Sequence, residues 1–150
     1  MKKRIIPDVI AKPQELVLVS GETTVRDAVQ LMASRRIGAV MIGEGQTLFG
    51  IFTERDLMTK VVAPGRDANA VKLSEVMTAK PDTIKPDENA GDALQRMQKG
   101  GYRHLPVVEN GRLVGMVSVR DIYAAVLAEL ADELHDREAF IQGSAGYGLN

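Results

Sequence analysis

One ungapped internal repeat constrains this chain more than any other feature. Sliding the sequence by 65 positions lays Gly50-Ile51-Phe52-Thr53-Glu54-Arg55-Asp56-Leu57 on Gly115-Met116-Val117-Ser118-Val119-Arg120-Asp121-Ile122. The same shift puts Asp27-Ala28-Val29-Gln30 on Asp92-Ala93-Leu94-Gln95, Met32 on Met97, Glu44 on Glu109 and Leu48 on Leu113. Self-similarity in one register marks a duplicated supersecondary unit. A half of about 60 residues buries only about 60% of its unfolded surface and is marginal alone. The two halves are therefore expected to pack as one unit with pseudo-two-fold symmetry.

Each half reads as strand, helix, strand, strand, helix, an α/β (α+β) pattern. In the first, Leu16-Val17-Leu18-Val19 is a short apolar strand. Thr24 with Asp27 three residues on reads as a helix start. Val25, Ala28, Val29 and Met32 follow at helical spacing. Ala39-Val40-Met41-Ile42 and Leu48-Phe49-Gly50-Ile51-Phe52 are strands joined by a turn at Gly43-Glu44-Gly45. A closing helix spans about residues 54–62. In the second half, Asp82-Thr83-Ile84-Lys85 gives a strand, and Asn89 caps a helix ended by Gly100-Gly101. Asn110-Gly111 between two apolar runs is a hairpin signal. A closing helix starts near residue 119. Ser74-Glu75-Val76-Met77-Thr78 reads as a short helical turn leading into the second half. The divisions are residues 12–63 and 76–128 for the repeats, an N-terminal extension over 1–11, and a C-terminal helix and flexible tail over 129–150.

Composition removes several function classes. The 150 residues include no cysteine, which excludes disulfides, thiolate metal sites and cysteine nucleophiles. A net charge of −1 offers no field for a nucleic-acid backbone. No apolar run of about 20 residues exists to span a membrane, and the basic start Lys2-Lys3-Arg4 lacks the apolar run of a secretory signal. A cytoplasmic protein is the expectation.

The closing pattern of each half, Gly-apolar-apolar-Thr/Ser-x-x-Asp-apolar, resembles the signature of CBS (cystathionine-β-synthase) repeats. Tyr102-Arg103-His104-Leu105-Pro106-Val107-Val108 and Met77-Thr78 fit the same family, and the resemblance covers about residues 12–128. It implies a paired (Bateman) module that dimerises and binds adenosine-containing ligands between its repeats. AMP, ADP or ATP comes first, then NAD or S-adenosylmethionine. A carboxylate suits a ribose diol, so Asp56 and Asp121, at the matching family positions, are assigned the ribose hydroxyls. Thr53, Ser118, Arg55, Arg120, Arg103 and His104 are assigned the phosphates, which favour hydroxyls, cations and helix N-termini. Val17, Val19, Ala39 and Met41 are expected to wall the base in site one. Ile84, Leu105 and Pro106 do so in site two, where Thr83 contacts the nucleoside. No catalytic and no metal-ligating residue is assigned.

Plainer readings stand beside these. Thr53 with Asp56 and Ser118 with Asp121 also satisfy the capping-box spacing, and a hydroxyl can cap while the acid faces a cleft. By the same shift, Arg103-His104-Leu105-Pro106 falls on Gly38-Ala39-Val40-Met41, so site one lacks the cation, the imidazole and the proline. His104 reads equally as a structural histidine, and His135 sits in a charged, solvated run. Leu127, Leu130, Leu134 and Ile141 recur at roughly helical spacing and need a partner surface, most simply a second subunit. The segment before Pro13 is a further candidate to cross to that subunit. Residues 143–148 read as a flexible end by composition. The leading expectation is a nucleotide sensor, not an enzyme, that acts as a homodimer or through a separate effector protein. The alternative is a ligand-free structural or dimerisation module.

Overall fold

The opening helices of the two halves start and stop in the same way, 65 residues apart. In the computed structural model, which describes residues 2–148 and side chains to residue 141, Thr24 Oγ1 accepts the Asp27 N–H at 3.2 Å and opens helix α1 (Val25–Arg35). Asn89 Oδ1 accepts the Asp92 N–H at 2.9 Å and opens α4 (Ala90–Gly100). Both helices end on a left-handed residue, Arg36 (φ 54°) and Gly101 (φ 72°). A non-glycine residue there costs roughly 1–2 kcal/mol, so Arg36 is the less favourable of the two ends. Val25, Ala28 and Met32 are buried on α1, and Ala90, Ala93 and Met97 at the matching positions of α4.

The strands follow the same duplication. In the first half β1 (Leu18–Val19) runs parallel to β2 (Ala39–Glu44), which pairs antiparallel with β3 (Thr47–Thr53). In the second half β5 (His104–Glu109) pairs antiparallel with β6 (Arg112–Ser118) across Asn110 (φ 51°) and Gly111 (φ 78°). Those positive φ angles are what a two-residue hairpin matched to strand twist requires. The strand expected at Asp82-Thr83-Ile84-Lys85 is reduced to one parallel bridge, Ile84 to Val107, which matches the Val19–Ile42 pair of the first half. Closing helix α2 (Glu54–Asp56) continues in wider helical turns over Leu57–Val62. Its counterpart α5 runs Val119–Gly148, past the point where composition places a flexible end.

Each half completes its core with a segment that precedes the other half. The stretch between the halves carries α3 (Leu73–Val76), and Val71, Leu73 and Val76 are buried in the first core. The N-terminal arm makes the same contacts with the second core, where Ile5 is fully buried. The hydrogen bonds repeat as well. Leu73 N–H donates to Thr23 O and Ser74 N–H to Gly21 O; Ile5 N–H donates to Glu88 O and Ile6 N–H to Pro86 O. After the arm, the Gln14 amide brackets Met116, donating to its carbonyl and accepting its N–H, both at 2.9 Å. This side chain does for β6 what β4 (Thr78–Ala79) does for β3, where Thr78 pairs with Ile51. Gly115 and Gly50 are the crossing points. A Cβ would lie 2.9 Å from Gln14 Oε1 at Gly115, and 2.9 Å from Thr78 O and 2.5 Å from Met77 Sδ at Gly50. The segment expected to reach a partner subunit thus lies on its own chain, because Ile5 finds an apolar site there worth about 1.5–3 kcal/mol. Among the described residues no helix is long and apolar enough to cross a membrane.

Candidate functional site

The halves meet where β2 and β5 begin and β3 and β6 end, which are the points of register Ala39–Thr53 and His104–Ser118. A cleft of about 320 Å³ opens there. Gly38, Thr53, Glu54, Arg55 and Met58 line it from the first half, and Gly101, Tyr102, Arg103 and His104 from the second. Its volume is at the lower end of the small-molecule range, about 300–1,000 Å³. The Arg55 guanidinium spans the cleft and donates to Gly101 O at 2.7 Å. Gly38 marks a close approach, since a Cβ there would lie 2.7 Å from Glu54 Oε1 and 3.5 Å from His104 Cε1.

His104 is half-buried at this junction. Burial lowers its pKa, the carboxylates of Glu54 and Asp121 work in the opposite direction, and Arg103 adds to the lowering. The net shift is downward, so the imidazole is neutral at pH 7 and offers one N–H donor and one acceptor.

The two capping boxes share one geometry and differ in what else holds the acid. Thr53 N–H donates to Asp56 Oδ2 at 3.0 Å, and Ser118 N–H to Asp121 Oδ2 at 2.8 Å. The hydroxyls donate to the same carboxylate oxygens and accept the Asp56 and Asp121 N–H groups. Asp56 is only 7% exposed, and its other oxygen, Oδ1, lies 3.0 Å from Lys60 Nζ, which also donates to Val76 O. Asp121 is half-buried and has no ion pair among the described residues.

A shallower depression of about 870 Å³ adjoins the cleft and shares Tyr102 with it. Thr83, Lys85, Arg96 and Lys99 contribute to its lining. Arg96 is held by Glu88 and donates to Thr83 O at 2.8 Å. The Tyr102 hydroxyl donates to Asp82 Oδ2 at 2.6 Å. Burial first, and then this bond, push its pKa up to about 12.

The structure brings together Thr53, Arg55, Arg103 and His104, and so crosses the grouping by halves made from the sequence. The closing turn of the first half faces the strand start of the second. Ala39, Met41, Ile84, Leu105 and Pro106 are buried, with Ile84 and Leu105 in the second core. Val17 and Val19 are half-buried, and Val19 packs on the first core. Thr83 is exposed in the shallower depression. Arg120 is exposed one residue before Asp121. β2 is buried on both faces from Ala39 to Ile42, so alternation along it does not separate wall from core. Glu54, Met58, Gly38 and Tyr102 line the cleft without having been assigned a ligand contact from the sequence, although Tyr102 heads the 102–108 motif and Gly38 its first-half counterpart. The Asp56–Lys60 pair has a signal, the i,i+4 spacing of opposite charges.

Comparison with known proteins agrees with this architecture. The CBS domain family model matches residues 8–63 and again residues 73–128. The mitochondrial CBS domain-containing protein CBSX3 of Arabidopsis thaliana is 38% identical over 127 residues, which are 81% of this chain and 62% of that protein. The chain thus spans less than two thirds of that relative. A solved protein with CBS domains from Burkholderia ambifaria superposes with a TM-score of 0.79 at 34% identity, covering 84% of this chain and 95% of the other. A CBS domain protein from Pyrobaculum aerophilum, solved in complex with AMP, superposes with a TM-score of 0.73 at 26% identity, over 86% of this chain and 98% of the other. With both halves matched in tandem, the chain belongs to the CBS domain family.

Proposed function

We propose that this chain is a regulatory module that binds an adenine nucleotide between its repeats and reports occupancy through its conformation. AMP, ADP and ATP are the leading ligands, followed by NAD and S-adenosylmethionine. One observation carries the reading. The cleft joins hydroxyl and cation of one repeat, Thr53 and Arg55, to cation and imidazole of the other, Arg103 and His104. The AMP held by the Pyrobaculum relative supports the ligand class. Asp121, with one oxygen uncommitted, takes the ribose diol. Arg103, His104, Arg55 and Arg120, with the Thr53 and Ser118 hydroxyls, take phosphate. Thr83 contacts the nucleoside. Val17, Val19, Ala39 and Met41 are the apolar residues proposed beside the base on the first-repeat side, and Ile84, Leu105 and Pro106 those on the second-repeat side.

A ligand in this position bridges two repeats and stabilises one relative arrangement. At 100 times its dissociation constant it adds about 2.7 kcal/mol to folded-state stability. The output passes through a homodimer or a separate effector protein, and the role is regulatory rather than catalytic. Mass spectrometry of small molecules released from the purified, denatured protein tests the ligand class. Release of an adenosine-containing compound is the expected result, and a folded protein that neither carries one nor gains thermal stability from any of the five rejects it.

A second reading has its own support. The Asp56–Lys60 pair and the Arg55–Gly101 bond satisfy inside the protein groups that a ligand would otherwise engage. In this reading the first repeat is structural and the module serves dimerisation. Nucleotide binding at the Asp121 side with none at the Asp56 side fits both readings at once, one per repeat.

A further inference from the structure

One turn, Gly100-Gly101-Tyr102 at the end of α4, divides the cleft from the shallower depression beside it. Gly101 lines the cleft, Gly100 lines the depression, and Tyr102 lines both. The turn is held from each side. Arg55 of the first repeat donates to Gly101 O at 2.7 Å, and the Tyr102 hydroxyl donates to Asp82 Oδ2 at 2.6 Å. The backbone of this wall is fixed, because the Gly101 and Tyr102 N–H groups both donate to Met97 O, at 2.9 and 3.1 Å. The half-buried Tyr102 ring is the part that can turn, by rotation about χ1 to another staggered well. It lies against Gly100, where a Cβ would come within 2.0 Å of Tyr102 Cε1. Since residue 100 has no side chain, a ring that swings away leaves a gap there rather than a second obstruction.

Charge is arranged on both sides of the wall. In the depression the two acids are committed. Asp82 accepts from Tyr102, and Glu88 accepts from Arg96 and from the Lys85 N–H. Among the described residues Lys85 and Lys99 have no ion pair. Lys99 directly precedes Gly100, so an uncommitted ammonium stands on the depression side of the wall and the Arg55 guanidinium on the cleft side. Two cations flanking a narrow crossing suit two linked anionic groups, such as a diphosphate. The cleft, about 320 Å³, is at the low end of the size of small-molecule sites, and the depression, about 870 Å³, nearer the upper end.

We infer that Tyr102 sets the length of ligand this module accepts, and that with its ring turned off Gly100 the cleft and the depression form one chamber for a dinucleotide. One nucleoside lies in the cleft and the second reaches Thr83. The diphosphate between them crosses at Gly100, with Arg55 on one side and Lys99 on the other. While the Tyr102 hydroxyl is held by Asp82 the wall is closed, and the cleft alone takes a mononucleotide. A dinucleotide must break that hydrogen bond to bind, and a mononucleotide need not. This rests on the cleft being a nucleotide site and adds the residue that separates one nucleotide from two joined end to end.

Competition calorimetry with AMP and NAD on the full chain tests the inference, read as the ratio of the two affinities. Tyr102→Phe keeps the ring and removes the hydroxyl, and Asp82→Ala removes the acceptor. Each should raise the affinity for NAD relative to AMP about fivefold or more. Lys99→Ala, at an exposed position, should lower it about threefold or more. A general loosening of the fold would not move the ratio in opposite directions in Tyr102→Phe and Lys99→Ala. NAD should also displace AMP one for one. A ratio unchanged in all three variants, a shift of the same sign in Tyr102→Phe and Lys99→Ala, simultaneous binding of AMP and NAD, or AMP binding with no NAD binding by any of the four proteins would each overturn the inference and leave the nucleotide site standing. Binding of neither ligand by any of the four, all folded by circular dichroism, would overturn both.

Discussion

Lys60 Nζ lies 3.0 Å from Asp56 Oδ1, and the matching position of the second repeat is Ala125. The two capping-box acids of the pair are therefore not equivalent. Asp56 has both oxygens engaged, whereas among the described residues Asp121 is tied only through Oδ2 to Ser118.

From this asymmetry, Asp121→Ala should remove nucleotide binding, by about 100-fold or more, with a stability loss of about 0.5–1.5 kcal/mol from the hydrogen bonds its carboxylate accepts from Ser118. Asp56→Ala should leave that binding within a few-fold and cost about 1–3 kcal/mol, since it leaves the Thr53 N–H without its acceptor and Lys60 without its carboxylate. Lys60→Ala frees Oδ1 and should strengthen binding at the first-repeat side. Calorimetric stoichiometry and urea denaturation of the three variants separate these outcomes.

His104 provides a pH signature. Its folded pKa is below the ordinary imidazole value, chiefly through burial. The unfolded chain therefore takes up a proton first as pH falls through about 6.5, and stability declines from there until the folded imidazole also protonates. Denaturation midpoints should fall between pH 7.5 and 5.5 in the wild type, with a shallower fall in His104→Gln. A phosphate beside the ring would favour its charged form. Nucleotide binding near pH 6 should then draw in a proton, visible as a heat that varies with the ionisation enthalpy of the buffer. Equal heats in all buffers would remove His104 from phosphate binding.

Ile5 is fully buried in the core of the second repeat although it precedes the first. Ile5→Ala should destabilise the protein by about 2–5 kcal/mol. Hydrogen exchange should then speed up in α4 and β5 more than in α1 and β2. Uniform loss of protection would instead mean that the two repeats unfold as one cooperative unit.

Gly38 is where the repeats approach across the cleft. In Gly38→Ala the new Cβ meets Glu54 Oε1, the end of a flexible side chain that can move. The fold should be retained, with a thermal midpoint within a few degrees, while nucleotide affinity falls about tenfold as the displaced Glu54 enters the cleft. Unchanged affinity would place the ligand elsewhere.

The duplication, the helix starts at Thr24 and Asn89, the left-handed end at Gly101 and the Asn110-Gly111 hairpin were legible because each is written within a few residues. The exchange of segments between repeats was not. Gln14 and Met116 are 102 residues apart, and nothing near either names the other. The same holds for the pairing of Thr53 and Arg55 with Arg103 and His104, which depends on how two sheets face each other. Ile84 and Leu105 have the apolar character of cleft walls and of core equally, and only the packing assigns them to the core.

The central claim is that the cleft between the repeats holds an adenine nucleotide. Calorimetric titration of AMP, ADP and ATP into the purified chain, alongside Arg103→Ala, tests it most directly. The account predicts saturable binding of at least one of the three and its loss in the variant. No binding of any of them by well-folded protein, or equal binding by Arg103→Ala, would contradict it.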